Sequence, residues 1–263
     1  MIARWWRALR QCRDARTLVR RAIPDQLWSL TLARFPFLAL RSSEDLRQLR
    51  EMATLFLARK EFTAPGDSPV TDEMAVAVAA QACLPVLKLG LDWYDGFVGI
   101  VIHPDAVWAR REHIDEIGVV HEFDEELAGE AMDGGPLMLS WRDVADAGES
   151  AEWGYNVVIH EFAHVLDMRD GLSDGTPPLS SRAERARWTA VLEAHYDALC
   201  AQVDSDEQTL LDPYAAQSPD EFFAVASETF FVAPLEFRAE LPALYELLAG
   251  FYQQDPASTA QRH

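Results

Sequence analysis

The chain has 263 residues and a formal net charge of −20. Its hydrophobic fraction of 49% and charged fraction of 25% are those of a globular protein, which excludes an intrinsically disordered chain. The length fits one large domain or two small ones. No apolar run reaches the roughly 18 residues that a membrane span needs. The best candidate, SLTLARFPFLAL, is interrupted by Arg34 and Pro36.

The N-terminus and the cysteines suggest a compartment. The first residues are basic but lack a clean apolar core and a small-residue cleavage site, so we expect no secretory signal. Cys12, Cys83 and Cys200 lie far apart and form neither a CxxC pair nor an even disulfide framework. We therefore expect a protein of the reducing cytoplasm.

Charge is unevenly distributed along the chain. Residues 1–60 carry 13 Lys and Arg against 5 Asp and Glu, and the remainder carries 10 against 38. An acidic body disfavours direct nucleic-acid binding, because phosphate contacts need clustered cations. We divide the chain into a basic N-terminal arm, residues 1–41, and a second domain, residues 42–263. The arm could dock on a membrane surface, bind an acidic partner or pack on the acidic body, and we favour intramolecular packing.

The predicted elements follow one another as helices, then strands, then helices. An amphipathic helix is expected at 44–61, and Thr71 could cap a second helix that ends before Pro85. Strands are expected at 97–104, 118–123 and 135–141, and later helices at about 154–168, 182–202, 219–231 and 236–249. Ser181 and Glu184 would form a capping box at the start of the 182–202 helix. This order favours an α+β fold over a parallel βαβ sheet.

The stretch VVIHEFAHVLD, residues 157–167, carries the clearest chemical signal. Residues four apart share one face of a helix, so His160 and His164 can ligate one zinc ion. Glu161 flanks such a site and could serve as general base on the attacking water, as in HExxH hydrolases. Two core histidines beside a surface glutamate would share this pattern. The apolar neighbours favour the metal, because burying unpartnered polar groups is costly.

Three residues compete for the place of third ligand. Asp170 stands ten residues after His160, where the HExxHxxGxxH pattern has its third histidine. Glu221 and Glu228 are seven apart on the helix expected at 219–231 and share a face. Glu221 could instead only complete a capping box with Ser218, and Glu228 could be a solvated or supporting carboxylate. Spacing alone leaves all three open.

Four segments carry a family resemblance, namely CLPVLKLGLDWYDGF, HEFAHVLDMRDG, DPYAAQSPDEFFAVASETFF and the closing FYQQDP. They resemble the Mlc titration factor A family of bacterial zinc metallopeptidases, and the resemblance covers most of the chain after residue 70. It implies a mostly helical, zincin-type α+β domain with a small mixed sheet and one zinc ion. It also implies that His160, His164 and Glu221 bind the zinc, and that Glu161 is catalytic.

Tyr214 stands seven residues before Glu221. The spacing Y-x6-E-F-F-A is similar to that in the catalytic domain of anthrax lethal factor, which implies that Tyr214 stabilises the oxyanion. A phenol can donate a hydrogen bond to a developing oxyanion, although a loop tyrosine in water would look the same. Asp167 shares the face of the two histidines. It could accept the distal N–H of a ligand histidine or pair with an arginine.

We therefore expect a cytoplasmic zinc metallopeptidase. Its substrate would be a peptide or protein, and the residues do not decide between endopeptidase and aminopeptidase action. The alternative, which the family name implies, is a regulatory protein that binds and sequesters a transcriptional repressor, with peptidase activity secondary. Strand 135–141 could be an edge that holds an extended peptide, or an ordinary buried strand. The Gly- and Pro-rich segment 168–180 could cover the site.

Overall fold

The fold is mostly helical, with a small mixed sheet. The computed structural model describes residues 2–66, 69–105, 107–114, 120–127, 129–131, 134–150 and 154–261. The helices before the sheet are α1 (Ile2–Arg20), α2 (Asp25–Arg34), α3 (Pro36–Ala39), α4 (Ser43–Arg59) and α5 (Asp72–Cys83). Those after it are α6 (Trp141–Ser150), α7 (Val157–Asp167), α8 (Arg182–Asp204), α9 (Pro219–Val232), α10 (Pro234–Glu240), α11 (Pro242–Tyr252) and α12 (Pro256–Ala260). The expected α+β class is confirmed.

Three helices begin at the predicted caps. The side-chain oxygens of Thr71, Ser181 and Ser218 each accept a backbone N–H from the third residue of the helix that follows. The Ser181 box differs in one respect, because the Glu184 carboxylate accepts from the backbone N–H of Ser180 instead of that of Ser181. α7 begins at Val157, later than expected, since Asn156 takes the cap position.

The single helix expected at 236–249 is wrong. The chain forms α10 and α11 there, and Pro242 is the first residue of the second helix. Proline has no N–H to donate to the preceding turn and its ring clashes with it, so a helix ends before it and a new one can begin.

The main sheet has the strand order β1–β2–β6–β5. Its strands are β1 (Glu61–Thr63), β2 (Gly99–His103), β6 (Leu137–Ser140) and β5 (Gly129–Glu130). β2 pairs in parallel with both β1 and β6, whereas β5 is antiparallel to β6. The expected strands at 97–104 and 135–141 are thus confirmed, although the second is not an edge, because β6 is paired on both sides.

A separate antiparallel pair joins β3 (Val107–Ile114) and β4 (Val120–Leu127). The expected strand at 118–123 lies partly outside the described residues, and its described part belongs to β4. The main sheet and this pair account for all the strands in the described part of the chain.

α7 lies at the centre of the fold. It packs against α5, α9, β5 and β6, and most of its residues are buried. Phe162 of α7 meets the rings of Tyr94 and Phe97 edge to face, and Tyr94 meets Phe56 and Phe97 in the same way. Such close packing holds the helix in one orientation, and this fixes the positions of the side chains that it carries.

The basic N-terminal segment packs on the rest of the chain through the described part of α1. Arg59 Nη2 lies 2.9 Å from Asp14 Oδ2, and Arg10 Nη2 lies 2.5 Å from Asp92 Oδ1. The favoured intramolecular packing is therefore observed, while a domain boundary at residues 41 and 42 stays a prediction. Within the described chain, none of the helices is both long and apolar enough to cross a bilayer.

Candidate metal centre

The two histidines of the motif face the same point. Asn156 caps α7 by accepting the N–H of Ile159 at 2.9 Å, and the helix then runs unbroken through both histidines. The Nε2 atoms of His160 and His164 lie 3.2 Å apart. The spacing of four thus places both imidazoles on one face, as helix geometry requires.

α9 brings a carboxylate to this pair. Glu221 Oε2 lies 3.0 Å from His160 Nε2 and 3.5 Å from His164 Nε2. The backbone N–H of Glu221 also bonds to Ser218 Oγ at 3.5 Å, so the residue begins the helix and faces the histidines at the same time. Glu221 therefore takes part in helix capping and also contacts the two histidines.

The distances among these three atoms fit one metal ion. Two ligands at 2.0–2.1 Å from a tetrahedral zinc ion are about 3.3 Å apart. The three observed separations, 3.0, 3.2 and 3.5 Å, bracket that value. Glu221 Oε2 is also buried without a hydrogen-bond partner. A buried carboxylate oxygen that faces two imidazole nitrogens needs a cation or a proton between them.

Glu228, one of the competing ligands, lies behind His160. Its Oε1 accepts from His160 Nδ1 at 2.7 Å, and its Oε2 accepts from the backbone N–H of Asn156. Gln81 on α5 accepts from the Asn156 side chain at 2.7 Å. The bond to Nδ1 leaves His160 Nε2 as the nitrogen that faces Glu221, which orients the ring for metal binding.

Glu161 occupies a tight position beside the ligand face. It is 5% exposed, and a Cβ added to Gly129 of β5 would lie 2.5 Å from Glu161 Oε1. Burial raises the pKa of Glu161 to about 7, although His160 and His164 oppose the shift. A carboxylate that exchanges a proton near neutral pH is suited to general acid–base chemistry.

The charges of the cluster depend on one another. Burial alone would lower the pKa of His160, but the carboxylates of Glu228 and Glu221 raise it well above its usual range. Burial would raise the pKa of Glu221, but the two imidazoles hold it well below its usual range. The pocket therefore favours positive charge at the point where the three groups meet.

Asp170 lies apart from the three converging atoms. Its nearest ion-pair partner is Arg185 at 3.7 Å, and one of its oxygens accepts from the backbone N–H of Leu172. Within the part of the chain that the structure describes, one set of three side chains could together hold a metal ion. It consists of His160, His164 and Glu221. The structure thus places Glu221 with the histidines, and neither Asp170 nor Glu228 takes that position.

Asp167 plays a different part from either one expected. It is fully buried, and its Oδ2 accepts from the backbone N–H of Gly175 at 2.8 Å. The Gly175 carbonyl accepts from Trp188 Nε1 at 2.9 Å, and Ser173 Oγ bonds to Asp220 at 3.0 Å. The segment suspected of covering the site is thus tied to the end of α7 and the start of α9.

Two tyrosines border the cluster. The ring centroid of Tyr214 lies 6.2 Å from that of His160, and its side chain is 36% exposed. Tyr155, which sequence reasoning passed over, precedes the cap of α7. Burial, with the nearby charge of Glu228, raises its pKa above the ordinary value. A tyrosine hydroxyl can donate a hydrogen bond.

Two features of the centre could not be predicted from the sequence. Glu228 had the right helical spacing from Glu221, but nothing indicated that it would bond His160 rather than the metal. Gly129 gave no pattern, and its importance comes from the close approach of β5 to Glu161.

The chain is similar to several known proteins. The model of the family described as glucose-regulated metallo-peptidase M90 matches residues 6–253. A Klebsiella pneumoniae protein named Mlc titration factor A is 37% identical over 231 residues, covering 87% of this chain and 86% of its own. The Edwardsiella ictaluri protein of that name is 38% identical, covering 84% and 85%. An uncharacterised Synechocystis protein is 37% identical, covering 91% and 87%.

Proposed function

The chain belongs to the glucose-regulated metallo-peptidase family M90, and we propose that it hydrolyses peptide bonds with one zinc ion held by His160, His164 and Glu221. The observation that carries the proposal is the convergence of three ligand atoms at separations of 3.0–3.5 Å. A structural zinc site usually has four protein ligands, often cysteines, whereas a catalytic site keeps one position open. Three ligands with no cysteine fit a catalytic site.

The bound zinc would supply a Lewis acid that polarises the scissile carbonyl and lowers the pKa of the attacking water. Glu161 would take the proton from that water, since it directly follows His160 on α7 and lies buried beside the ligand face. It then gives the proton to the leaving amine. His160 is held by Glu228 throughout, and Tyr214 donates a hydrogen bond to the oxyanion that develops on the carbonyl oxygen.

Metal content distinguishes the proposed ligand from its competitor. We expect about one zinc per chain in the native protein and in Asp170→Ala, and loss of the metal in Glu221→Ala. The two variants each remove one carboxylate, so Asp170→Ala is the matched control. Loss of zinc from Asp170→Ala with retention in Glu221→Ala would overturn the proposed ligand set.

Turnover tests the role of Glu161. Glu161→Gln should retain zinc and lose at least about 100-fold in kcat on any peptide that the native protein cleaves. Retained zinc together with full activity would remove Glu161 from the mechanism. Mass spectrometry of the products would also decide between release of single N-terminal residues, as by an aminopeptidase, and internal cleavage.

We propose a second function from the name of the two Mlc titration factor A relatives, which refers to titration of Mlc. On this proposal the chain binds and sequesters a transcriptional repressor, and peptidase activity is secondary. Affinity for the repressor should then survive both zinc removal and Glu161→Gln. An affinity that disappears with the metal would tie binding to the peptidase site and contradict a separate sequestering role.

A further inference from the structure

We propose that Gly175 is a positioning residue for the zinc ligand Glu221. Asp167, at the end of α7, holds Gly175 against the first turn of α9, and this contact sets where Glu221 lies relative to the two histidines. The inference rests on the proposed zinc site. It gives the segment 168–180 a part in metal affinity.

The first contact joins this segment to the helix that carries the histidines. Asp167 is the last residue of α7, three residues after His164, and it is fully buried. Its Oδ2 accepts from the backbone N–H of Gly175 at 2.8 Å, while its Oδ1 is buried with no hydrogen-bond partner among the described residues. A buried carboxylate with one unpaired oxygen costs free energy. What its bonded oxygen provides is a fixed position for Gly175.

The second contact lies between the backbones of Gly175 and Pro219. Gly175 is buried and has a φ of +73°, and a Cβ added to it would lie 2.3 Å from the carbonyl oxygen of Pro219 and 2.8 Å from the carbonyl carbon. These atoms belong to the main chain, so no side-chain rotation could relieve the clash. Pro219 is the first residue of α9 and Glu221 the third. A movement of Pro219 would therefore carry Glu221 with it.

α8 holds Gly175 from a further side. The carbonyl of Gly175 accepts from Nε1 of Trp188, which is 2% exposed, at 2.9 Å. The Trp188 ring also meets that of Phe223 edge to face, with centroids 5.6 Å apart, and Phe223 follows Glu221 by two residues. Both backbone polar groups of Gly175 are thus fixed. If the contact were crowded, the start of α9, which is exposed at Pro219, would be the part to move.

The size of that movement matters for a metal ligand. A carbon and a carbonyl oxygen in contact are usually 3.3 Å or more apart, so a side chain at position 175 would displace the Pro219 carbonyl by roughly 1 Å. Ligand distances in a metal site vary by only about 0.2 Å. Glu221 Oε2 lies 3.0 Å from His160 Nε2 and 3.5 Å from His164 Nε2, and the displacement would disturb both separations.

The experiment compares the zinc affinity of two glycine variants by competition with a chromophoric chelator. Gly171, in the same segment, has a φ of +89°, and a Cβ added there meets nothing within 4 Å. Gly175→Ala and Gly171→Ala therefore both place a side chain on left-handed backbone, and only the first crowds α9. We expect Gly175→Ala to weaken zinc binding at least about tenfold. Gly171→Ala should stay within about twofold of the native affinity.

Two variants of Asp167 test the other end of the link. Asp167→Ala leaves the N–H of Gly175 without its acceptor, whereas Asp167→Asn offers a side-chain oxygen at the same place. We expect Asp167→Ala to weaken zinc binding at least about fivefold and Asp167→Asn to stay within about twofold of the native affinity. Urea unfolding of the metal-free variants measures stability separately. Lower stability with unchanged zinc affinity would mean that these residues serve the fold alone, and it would overturn the inference.

The outcomes also separate this inference from the site beneath it. A native protein that binds no zinc would overturn the zinc site and the inference with it. Zinc binding by the native protein, combined with equal affinities in Gly175→Ala and Gly171→Ala, would overturn the inference alone. If Gly175→Ala does not fold, the Asp167 variants decide, and equal affinities in Asp167→Ala and the native protein would overturn the inference.

Discussion

Replacing Glu228 by glutamine tests how the buried carboxylate supports the metal centre. Glu228 is 2% exposed, and its two oxygens accept from two donors, His160 Nδ1 at 2.7 Å and the backbone N–H of Asn156. Glutamine has one oxygen and one NH₂ group, so it can satisfy only one of these donors. The other donor would face the NH₂ group.

The size of the effect follows from these two bonds. An unsatisfied buried donor costs about 1–3 kcal/mol, and loss of a carboxylate behind a ligand histidine typically weakens metal binding about 10- to 100-fold. The second range corresponds to about 1.4–2.8 kcal/mol of binding free energy. We therefore expect Glu228→Gln to lose zinc affinity by about 10- to 100-fold and to lower the free energy of unfolding of the metal-free protein by about 1–3 kcal/mol.

Zinc affinity would be measured by competition with a chromophoric chelator, and unfolding by urea titration after metal removal. Glu236→Gln makes the same substitution at an exposed position of α10 and should change neither quantity. If Glu228→Gln bound zinc within twofold of the native affinity and unfolded at the same urea concentration, the carboxylate would have no part in supporting His160.

Three further predictions each concern one residue, namely Gly129, Asp167 and Tyr214. Gly129→Ala would place a Cβ 2.5 Å from Glu161 Oε1, so kcat should fall at least about tenfold with zinc retained. Gly96→Ala, where a Cβ meets nothing within 4 Å, should leave kcat unchanged, and equal kcat values in the two variants would contradict the close approach. Burial raises the pKa of Asp167 to about 7, so the metal-free folded state binds more protons than the unfolded state between about pH 4 and 7. Stability that Asp167 contributes at low pH is therefore lost as pH rises through this window. Asp167→Asn should remove that part of the pH slope in urea unfolding at pH 5 and 8, and an unchanged slope would refute the assignment. Tyr214→Phe should lower kcat by about 10- to 100-fold with little change in KM or zinc content, whereas a change in KM alone would make it a binding residue.

The sequence alone determined the local chemistry of this protein. Helical spacing placed His160 and His164 on one face, and a side-chain oxygen at Thr71, Ser181 and Ser218 marked where helices begin. These features could be read directly because they depend on residues within one or two turns of each other. The α10–α11 break is equally local, because Pro242 lacks the N–H that a continuous helix needs and so begins a new helix.

Only the tertiary structure decided which distant groups meet. Glu221 and Glu228 are both suitable carboxylates on one helix, and their spacing from α7 along the chain carries no information about distance in space. The packing of α9 on α7 brings Glu221 to the two Nε2 atoms and Glu228 to His160 Nδ1, while the close approach of β5 confines Glu161 beside them. Such long-range contacts depend on how whole elements pack, which no local pattern records.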